Sequence, residues 1–355
     1  IPFVEWPGSA IRFGIEALIK AVVFYYFTIA FVDSESRLKR FLLVFVGCQL
    51  FRVMEPLYLH FTQGYWGSFA SMADWEYLDR LSGAPSDIVN PNGLAYIICT
   101  VLPFLYFAAQ ISLLNRLAFL VFTPLCVYAL MLTGSRTGFL GLIFVCLGIV
   151  FKAKQRLAVG LVFGTVLLVG FPLLSADMQD RYLSIFVSGT KNDFTAQGRM
   201  TGVISNFEVA SRHPLFGYGL GTSLEANANF AGNDQVAHNL YAEAATEVGF
   251  VGMAILVAFI VALCKAFHDL KRSLASVDEK KFLLPVVDAT QVWLVLNLVF
   301  SFASYGLTSY EWYLLGGLAV VYRRIASMNP SIEVRPNVQD SDSLEPDDYN
   351  LLPKA

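Results

Sequence analysis

The sequence is poor in charged residues. Only 15 % of its 355 residues are charged and 56 % are hydrophobic, whereas a soluble domain carries roughly 25 % charged residues. So few charged residues cannot cover the surface of a soluble globule of this size. The simplest explanation is that most of the surface faces lipid. The formal net charge of −3 gives no reason to expect a nucleic-acid partner. The one strongly acidic stretch, from Gln339 to Asp348, is predicted to be disordered.

The signatures of several chemistries are also missing. There is no GxxxxGK[ST] loop, which argues against ATP-driven chemistry. There is no HExxH motif and no Cys/His spacing typical of zinc ligands. The cysteines lie in apolar runs without a CxxC pair, at Cys48, Cys99, Cys126, Cys146 and Cys264. We therefore expect no disulfide framework and no dedicated metal site.

What the chain has instead is a series of apolar runs, each close to the roughly 20 residues that cross a bilayer. They predict an all-α, polytopic integral membrane protein with nine visible spans. The predicted spans are 11–32, 38–59, 91–109, 116–133, 138–151, 156–175, 238–264, 284–306 and 311–326.

Basic residues predict the orientation, because Lys and Arg beside short loops stay cytoplasmic. They cluster in alternate connections, so the long loops 60–90 and 176–237 are predicted to lie outside. Ile1 then also starts outside, which indicates an odd number of preceding spans, and no signal peptide is visible. The predicted regions are 1–59, 60–90, 91–175, 176–237, 238–326 and a disordered cytoplasmic tail, 327–355.

The loop 176–237 is too long to be a simple connection. Met200, Val203, Ile204 and Phe207 follow the i, i+3, i+4, i+7 pattern of an amphipathic helix. This helix is expected to stop before Pro214. A glycine-rich turn follows at residues 217–221.

Several residues on the predicted outer side are suited to chemistry. His238, at the start of the seventh span, is either a general base or an interfacial histidine that caps a helix. Glu247 lies in apolar sequence, where a carboxylate needs a function or an ion pair with an arginine. Arg136 and Arg199 together would hold a pyrophosphate, although either alone is more often a surface charge.

Five short segments occur in a characteristic order. They are Arg80-Leu81-Ser82-Gly83, Asn90-Pro91-Asn92-Gly93, Gly134-Ser135-Arg136-Thr137-Gly138, Gly198-Arg199 with His213-Pro214-Leu215-Phe216-Gly217-Tyr218-Gly219, and His238-Asn239 followed by Gly249 and Gly252. Over roughly residues 75–255 they resemble the O-antigen ligases and O-antigen polymerases, a family of bacterial membrane glycosyltransferases. The last segment matches the His-Asn-x9-Gly-x-x-Gly pattern associated with the ligases.

The resemblance implies a reaction on the periplasmic side of the bacterial inner membrane. A glycan on undecaprenyl pyrophosphate is transferred to a sugar hydroxyl with inversion, without a metal or cofactor. The acceptor is lipid A–core in ligases and another lipid-linked repeat unit in polymerases, while related members use a protein hydroxyl. By resemblance, His238 would deprotonate the acceptor, and Arg136 and Arg199 would bind the leaving pyrophosphate. Arg80, Tyr218 and Glu247 are secondary candidates for orienting His238 or lining the site.

We favour the ligase, with the polymerase as the alternative because it can share the same pattern. A transporter or flippase for a lipid-linked sugar is a rival from another class. It would need ionisable residues deep in several spans, and the main ones here are Arg52, Glu55 and Asp288. A structural subunit would leave the outer histidine and arginines without a role. The sequence does not indicate the sugar or the oligomeric state.

Overall fold

The computed structural model describes residues 3–67, 79–87, 89–153, 156–174, 176–183, 193–232, 237–275, 282–304 and 306–328. The regular structure within these ranges is helical. The helices of the first half are α1 (Pro7–Phe31), α2 (Glu35–Gln63), α3 (Pro91–Ala108), α4 (Leu113–Leu132) and α5 (Arg136–Lys152). Those of the second half are α6 (Arg156–Gly170), α7 (Ala176–Leu183), α8 (Asp193–Ala210), α9 (Ser223–Phe230), α10 (Leu240–Ala275), α11 (Leu283–Ser301) and α12 (Tyr310–Ser327).

The protein is a polytopic helical membrane protein, but the predicted count of nine spans is not reproduced. Within the described ranges, six helices are long and apolar enough to cross a bilayer, namely α1, α2, α3, α4, α10 and α11. Helices α5 and α6 contain 17 and 15 residues, and at about 1.5 Å per residue they are shorter than the hydrocarbon core. Helix α12 has 18 residues but carries Glu311, Arg323 and Arg324.

Helix α3 is the centre of the bundle. It packs against α2, α4, α5 and α11, and 72 % of the residues in its most apolar 18-residue stretch are buried. Helix α11 packs in turn against α5, α10 and α12, with Trp293 fully buried. By contrast, only 17 % of the residues in the most apolar stretch of α1 and 22 % of those in α4 are buried. Their outer surfaces are therefore the ones available to lipid.

Two of the motif segments are helix N-caps that lie side by side. Asn90 Oδ1 accepts a hydrogen bond from the Gly93 N–H at 2.8 Å and so caps α3. Ser135 Oγ accepts one from the Gly138 N–H at 3.0 Å and so caps α5. A methyl group on Gly138 would lie 2.4 Å from Ala95 Cβ. Glycine thus lets the starts of α3 and α5 approach closely, which brings their first turns to one side of the bundle.

The predicted span 238–264 is interrupted at Gly249. This residue has φ 72° and ψ 177°, so α10 consists of two helical segments that meet there. At this break, the backbone of α10 forms hydrogen bonds with the chain at residues 214–219. The Phe250 N–H donates to Pro214 O at 2.8 Å, and the Gly219 N–H donates to Glu247 O at 2.9 Å. The segment before Gly249 is therefore packed on protein, and the segment after it is the apolar one.

The long connection after α7 contains helix α8, which includes Met200, Val203, Ile204 and Phe207 and ends at Ala210. It packs against α10, and Thr246 Oγ1 donates to Asn206 O at 3.2 Å. The acidic tail predicted to be disordered lies outside the described residues, as do parts of both long loops.

Candidate functional site

His238 lines a cavity at the end of the bundle where several helices begin. The cavity has a volume of about 260 Å³. Its described walls come from the starts of α3, α5, α10 and α12 and from the end of α11. The polar lining includes Asn92, Tyr96, Thr137, Asn297, Ser304 and Glu311. The cavity therefore combines polar side chains with the N-terminal ends of several helices.

Asn239, the neighbour of His238, caps α10. Asn239 Oδ1 accepts hydrogen bonds from the N–H groups of Tyr241 and Ala242, each at 3.0 Å. Asn239 also donates through Nδ2 to Phe302 O at 3.3 Å. These bonds fix the chain at the entry of α10. The half-buried His238 ring is held at the cavity wall by this rigid neighbour.

Glu243, one turn into α10, fixes another wall of the cavity. Its Oε2 accepts hydrogen bonds from the N–H groups of Gly306 and Leu307 at 2.6 and 3.0 Å. Gly306 lines the cavity, and Glu243 is 6 % exposed. The carboxylate therefore ties the connection between α11 and α12 to the helix that follows His238.

Arg136 is the first residue of α5, directly after a turn that other arginines hold. Arg80 donates through Nε to Thr133 O at 2.7 Å. Arg181 donates through Nε to Gly134 O, also at 2.7 Å. Three guanidinium groups thus belong to one turn and the helix that starts there. Guanidinium groups and a helix N-terminus are the elements from which proteins build phosphate sites.

Arg80 connects this turn to the cavity. Its Nη2 donates to Asn92 Oδ1 at 3.0 Å, and the same oxygen accepts from the Ser135 hydroxyl at 2.8 Å. Asn92 and Thr137 both line the cavity, so the residue after Arg136 and His238 share it. Because Arg80 is only 6 % exposed, its contacts support the turn from within the protein.

Arg181 was not singled out from the sequence. It lies on α7, next to Tyr182, whose hydroxyl donates to Met131 O at 3.1 Å. Burial raises the pKa of Tyr182 above its ordinary value, so the phenol remains a neutral donor. Arg181 and Gly134 are 47 positions apart in the chain, so no short sequence motif indicates that they are in contact.

The backbone of Arg199 belongs to α8, but its side chain lies outside the described residues. The expectation that Arg199 joins Arg136 at a pyrophosphate therefore stays a prediction.

Comparison with known proteins bears on the segment that contains these residues. Residues 119–257 match a protein-family model described as O-antigen ligase. The segment 119–257 is therefore similar to the O-antigen ligases. This match supports the family resemblance found in the sequence motifs. The matched segment contains Arg136, Arg199, His238 and Gly249, while Arg80, Asn92 and the final helices lie outside it. No curated protein matches the chain.

Glu247 binds the glycine-rich turn of the matched segment. Its carboxylate accepts hydrogen bonds from the N–H groups of Gly221 at 2.7 Å and Ser223 at 3.2 Å, and it is 2 % exposed. Sequence reasoning offered a functional role or an arginine partner, whereas the partners described for Glu247 are the backbone amides of Gly221 and Ser223 and the Ser223 side chain. These bonds hold residues 217–223 against α10.

Tyr218 lies in an aromatic cluster rather than in the described lining of the cavity. Its ring stacks on Trp6 at 5.1 Å between centroids and packs against His213 at 4.5 Å. Its hydroxyl donates to Val209 O at 3.2 Å, and burial raises its pKa. The cluster joins the N-terminal segment to the connection between α8 and α9.

Two of the three charges noted within the spans, Arg52 and Asp288, have ionic partners. Arg52 donates through Nε and Nη2 to the two oxygens of Asp87 at 2.7 and 2.9 Å. Asp288 Oδ1 accepts from Lys152 and Lys271 at 2.7 and 2.6 Å. These groups hold loops and helices together, which is a structural use of buried charge.

Proposed function

We propose that this protein transfers a glycan from a pyrophosphate-linked lipid donor to a sugar hydroxyl, at the periplasmic side of the bacterial inner membrane. Undecaprenyl pyrophosphate is the proposed donor lipid and lipid A–core the first proposed acceptor. The observation that carries the proposal is a cavity lined by both His238 and Thr137, the residue after Arg136; both belong to the segment that matches the O-antigen ligase family model.

The proposed step divides the work between a base and cations. His238 takes the proton of the acceptor hydroxyl. The hydroxyl oxygen forms a bond to the anomeric carbon of the donor glycan, and the bond from that carbon to the pyrophosphate oxygen breaks. The bonding pair leaves with the lipid pyrophosphate, and attack from the opposite face inverts the anomeric centre. Arg136 and Arg199, with Arg181 beside them, stabilise the charge that develops on the leaving group. The mechanism requires no metal or cofactor.

The arrangement of charges favours chemistry over transport. A transport path requires ionisable groups that can bind cargo or ions near the middle of the membrane. Arg52 and Asp288 instead have ionic partners at short distances. The groups suited to a reaction gather at one end of the bundle.

The proposal is tested by supplying purified protein with undecaprenyl-pyrophosphate-linked oligosaccharide, with and without lipid A–core. If the protein transfers glycan to lipid A–core and Arg136→Ala abolishes this transfer, the result supports the ligase. Arg116→Ala is the matched control, because Arg116 is exposed at the start of α4. Longer lipid-linked chains without added acceptor would instead identify a polymerase that uses the same site. No product with either acceptor would contradict the proposal and favour the transporter or a protein acceptor.

A further inference from the structure

The cavity beside His238 contains one carboxylate that the proposed mechanism does not use. Among the described residues that line it, Glu311 is the only acidic one and none is a lysine or arginine. The remaining polar lining consists of amides and hydroxyls, such as Asn92, Asn297 and Ser304. The guanidinium groups belong instead to the neighbouring turn at residues 133–136. The cavity is therefore suited to a neutral ligand rich in hydroxyl groups, and the turn to the phosphate.

Glu311 is held in place by the elements around it. It lies in the first turn of α12, where the helix dipole favours a negative charge. The Ser309 hydroxyl donates to its Oε2. The preceding segment is fixed by Glu243, which binds the N–H groups of Gly306 and Leu307. The carboxylate is thus positioned before any ligand arrives, which lowers the entropic cost of binding.

A chain of contacts fixes the same turn from the other side. Gln49 donates through Nε2 to the Tyr310 hydroxyl at 2.9 Å. Gln49 Oε1 accepts from Arg52 Nη1 at 3.2 Å, and Arg52 forms the two-oxygen pair with Asp87. Helix α2 therefore braces the start of α12, so Glu311 has a rigid backbone.

The opposite wall of the cavity is also fixed by internal hydrogen bonds. The Tyr96 hydroxyl donates to Asn297 Oδ1 at 2.7 Å and accepts from Trp293 Nε1 at 3.2 Å. Asn297 Nδ2 donates to Trp293 O at 3.0 Å. A ligand in the cavity therefore meets polar groups with set positions on both sides.

We propose that Glu311 is an acceptor-binding residue, whose carboxylate accepts hydrogen bonds from hydroxyl groups of the acceptor sugar beside His238. This inference rests on the proposed function. An ionised carboxylate only accepts hydrogen bonds, and sugar hydroxyls donate them. Charge-assisted bonds of this kind are stronger than bonds between neutral groups. Glu311 then orients the sugar so that one hydroxyl faces the histidine.

The test is steady-state kinetics of glycan transfer with the donor and the acceptor varied separately. Glu311→Gln keeps the size of the side chain but removes its charge. The acceptor KM is expected to rise about 10- to 100-fold, the effect of losing a hydrogen bond to a charged group, while the donor KM stays unchanged. Glu35→Gln is the matched control, because Glu35 forms an exposed pair with Lys39 in the first turn of α2.

A second variant keeps the test decisive if Glu311→Gln does not fold. Glu311→Asp retains the charge but shortens the side chain by one methylene, and it too should raise the acceptor KM alone. An unchanged acceptor KM in a folded variant, or equal changes in both KM values, would overturn the inference and leave the proposed function standing. Absence of transfer by the unsubstituted protein would overturn both.

Discussion

Replacement of Gly249 by alanine tests the break in α10, on which the position of the His238 segment depends. Gly249 combines φ 72° with ψ 177°, a conformation essentially confined to glycine. A methyl group there would lie 2.3 Å from Leu215 O and 2.7 Å from Phe216 N. Both are backbone atoms, which cannot rotate away as a side chain can.

Two effects of Gly249→Ala lower the free energy of unfolding. A non-glycine residue in such a backbone conformation costs about 1–3 kcal/mol. Moving the 214–216 chain also weakens the hydrogen bond from the Phe250 N–H to Pro214 O, which is worth about 1 kcal/mol net. We therefore expect a loss of about 2–4 kcal/mol and a Tm lower by about 5 °C. Transfer activity should fall as well, because the turn at 217–221 packs on the segment that follows His238.

Thermal unfolding of the purified protein, followed by intrinsic fluorescence, measures this effect. Gly47→Ala is the matched control, because Gly47 is exposed within α2 and a methyl group there would meet no atom within 4 Å. Its stability should be unchanged or higher by up to about 1 kcal/mol, since alanine favours helix. If Gly249→Ala had the Tm and activity of the control, α10 would not be broken at this residue and the reasoning would fail.

Two further predictions concern charged contacts. Arg181→Ala should raise the donor KM about tenfold and leave the acceptor KM unchanged, because Arg181 holds the turn that precedes Arg136. Transfer kinetics measure this effect, with Arg156→Ala as the control variant. A change in the acceptor KM alone would contradict the prediction. Asp288→Asn should lower stability by about 3 kcal/mol, because it leaves Lys152 and Lys271 together without their carboxylate. Asp33→Asn breaks only an exposed pair and should change stability by less than about 1 kcal/mol; equal Tm values for the two variants would refute this account.

The sequence predicted the helical membrane architecture well because long apolar runs have few alternatives in a bilayer. All nine predicted spans fall on helices, but α5 and α6 are too short to cross the hydrocarbon core and α12 carries three charged residues. The break in α10 was not predicted, because a single glycine within an apolar run is compatible with a continuous helix. It depends on the 214–216 chain, which is distant in sequence.

The candidate site was reached from the sequence only in part. His238 and Arg136 were singled out because each is polar at the edge of an apolar run. Arg181 and Glu311 were not singled out, because their interest comes from contacts across the fold: Arg181 binds Gly134 O, and Glu311 shares a cavity with His238. Glu247 was found from its burial cost, but the sequence did not reveal its backbone partners.

The most direct test of the account is the rate of glycan transfer by His238→Ala. A general base contributes roughly 10²- to 10⁴-fold, so kcat should fall by about that factor while the protein keeps its Tm. His268→Ala is the matched control, since His268 is exposed at the far end of the same helix, and it should transfer at the unsubstituted rate. If both variants transferred at that rate, His238 would not be the base and the proposed site would be wrong.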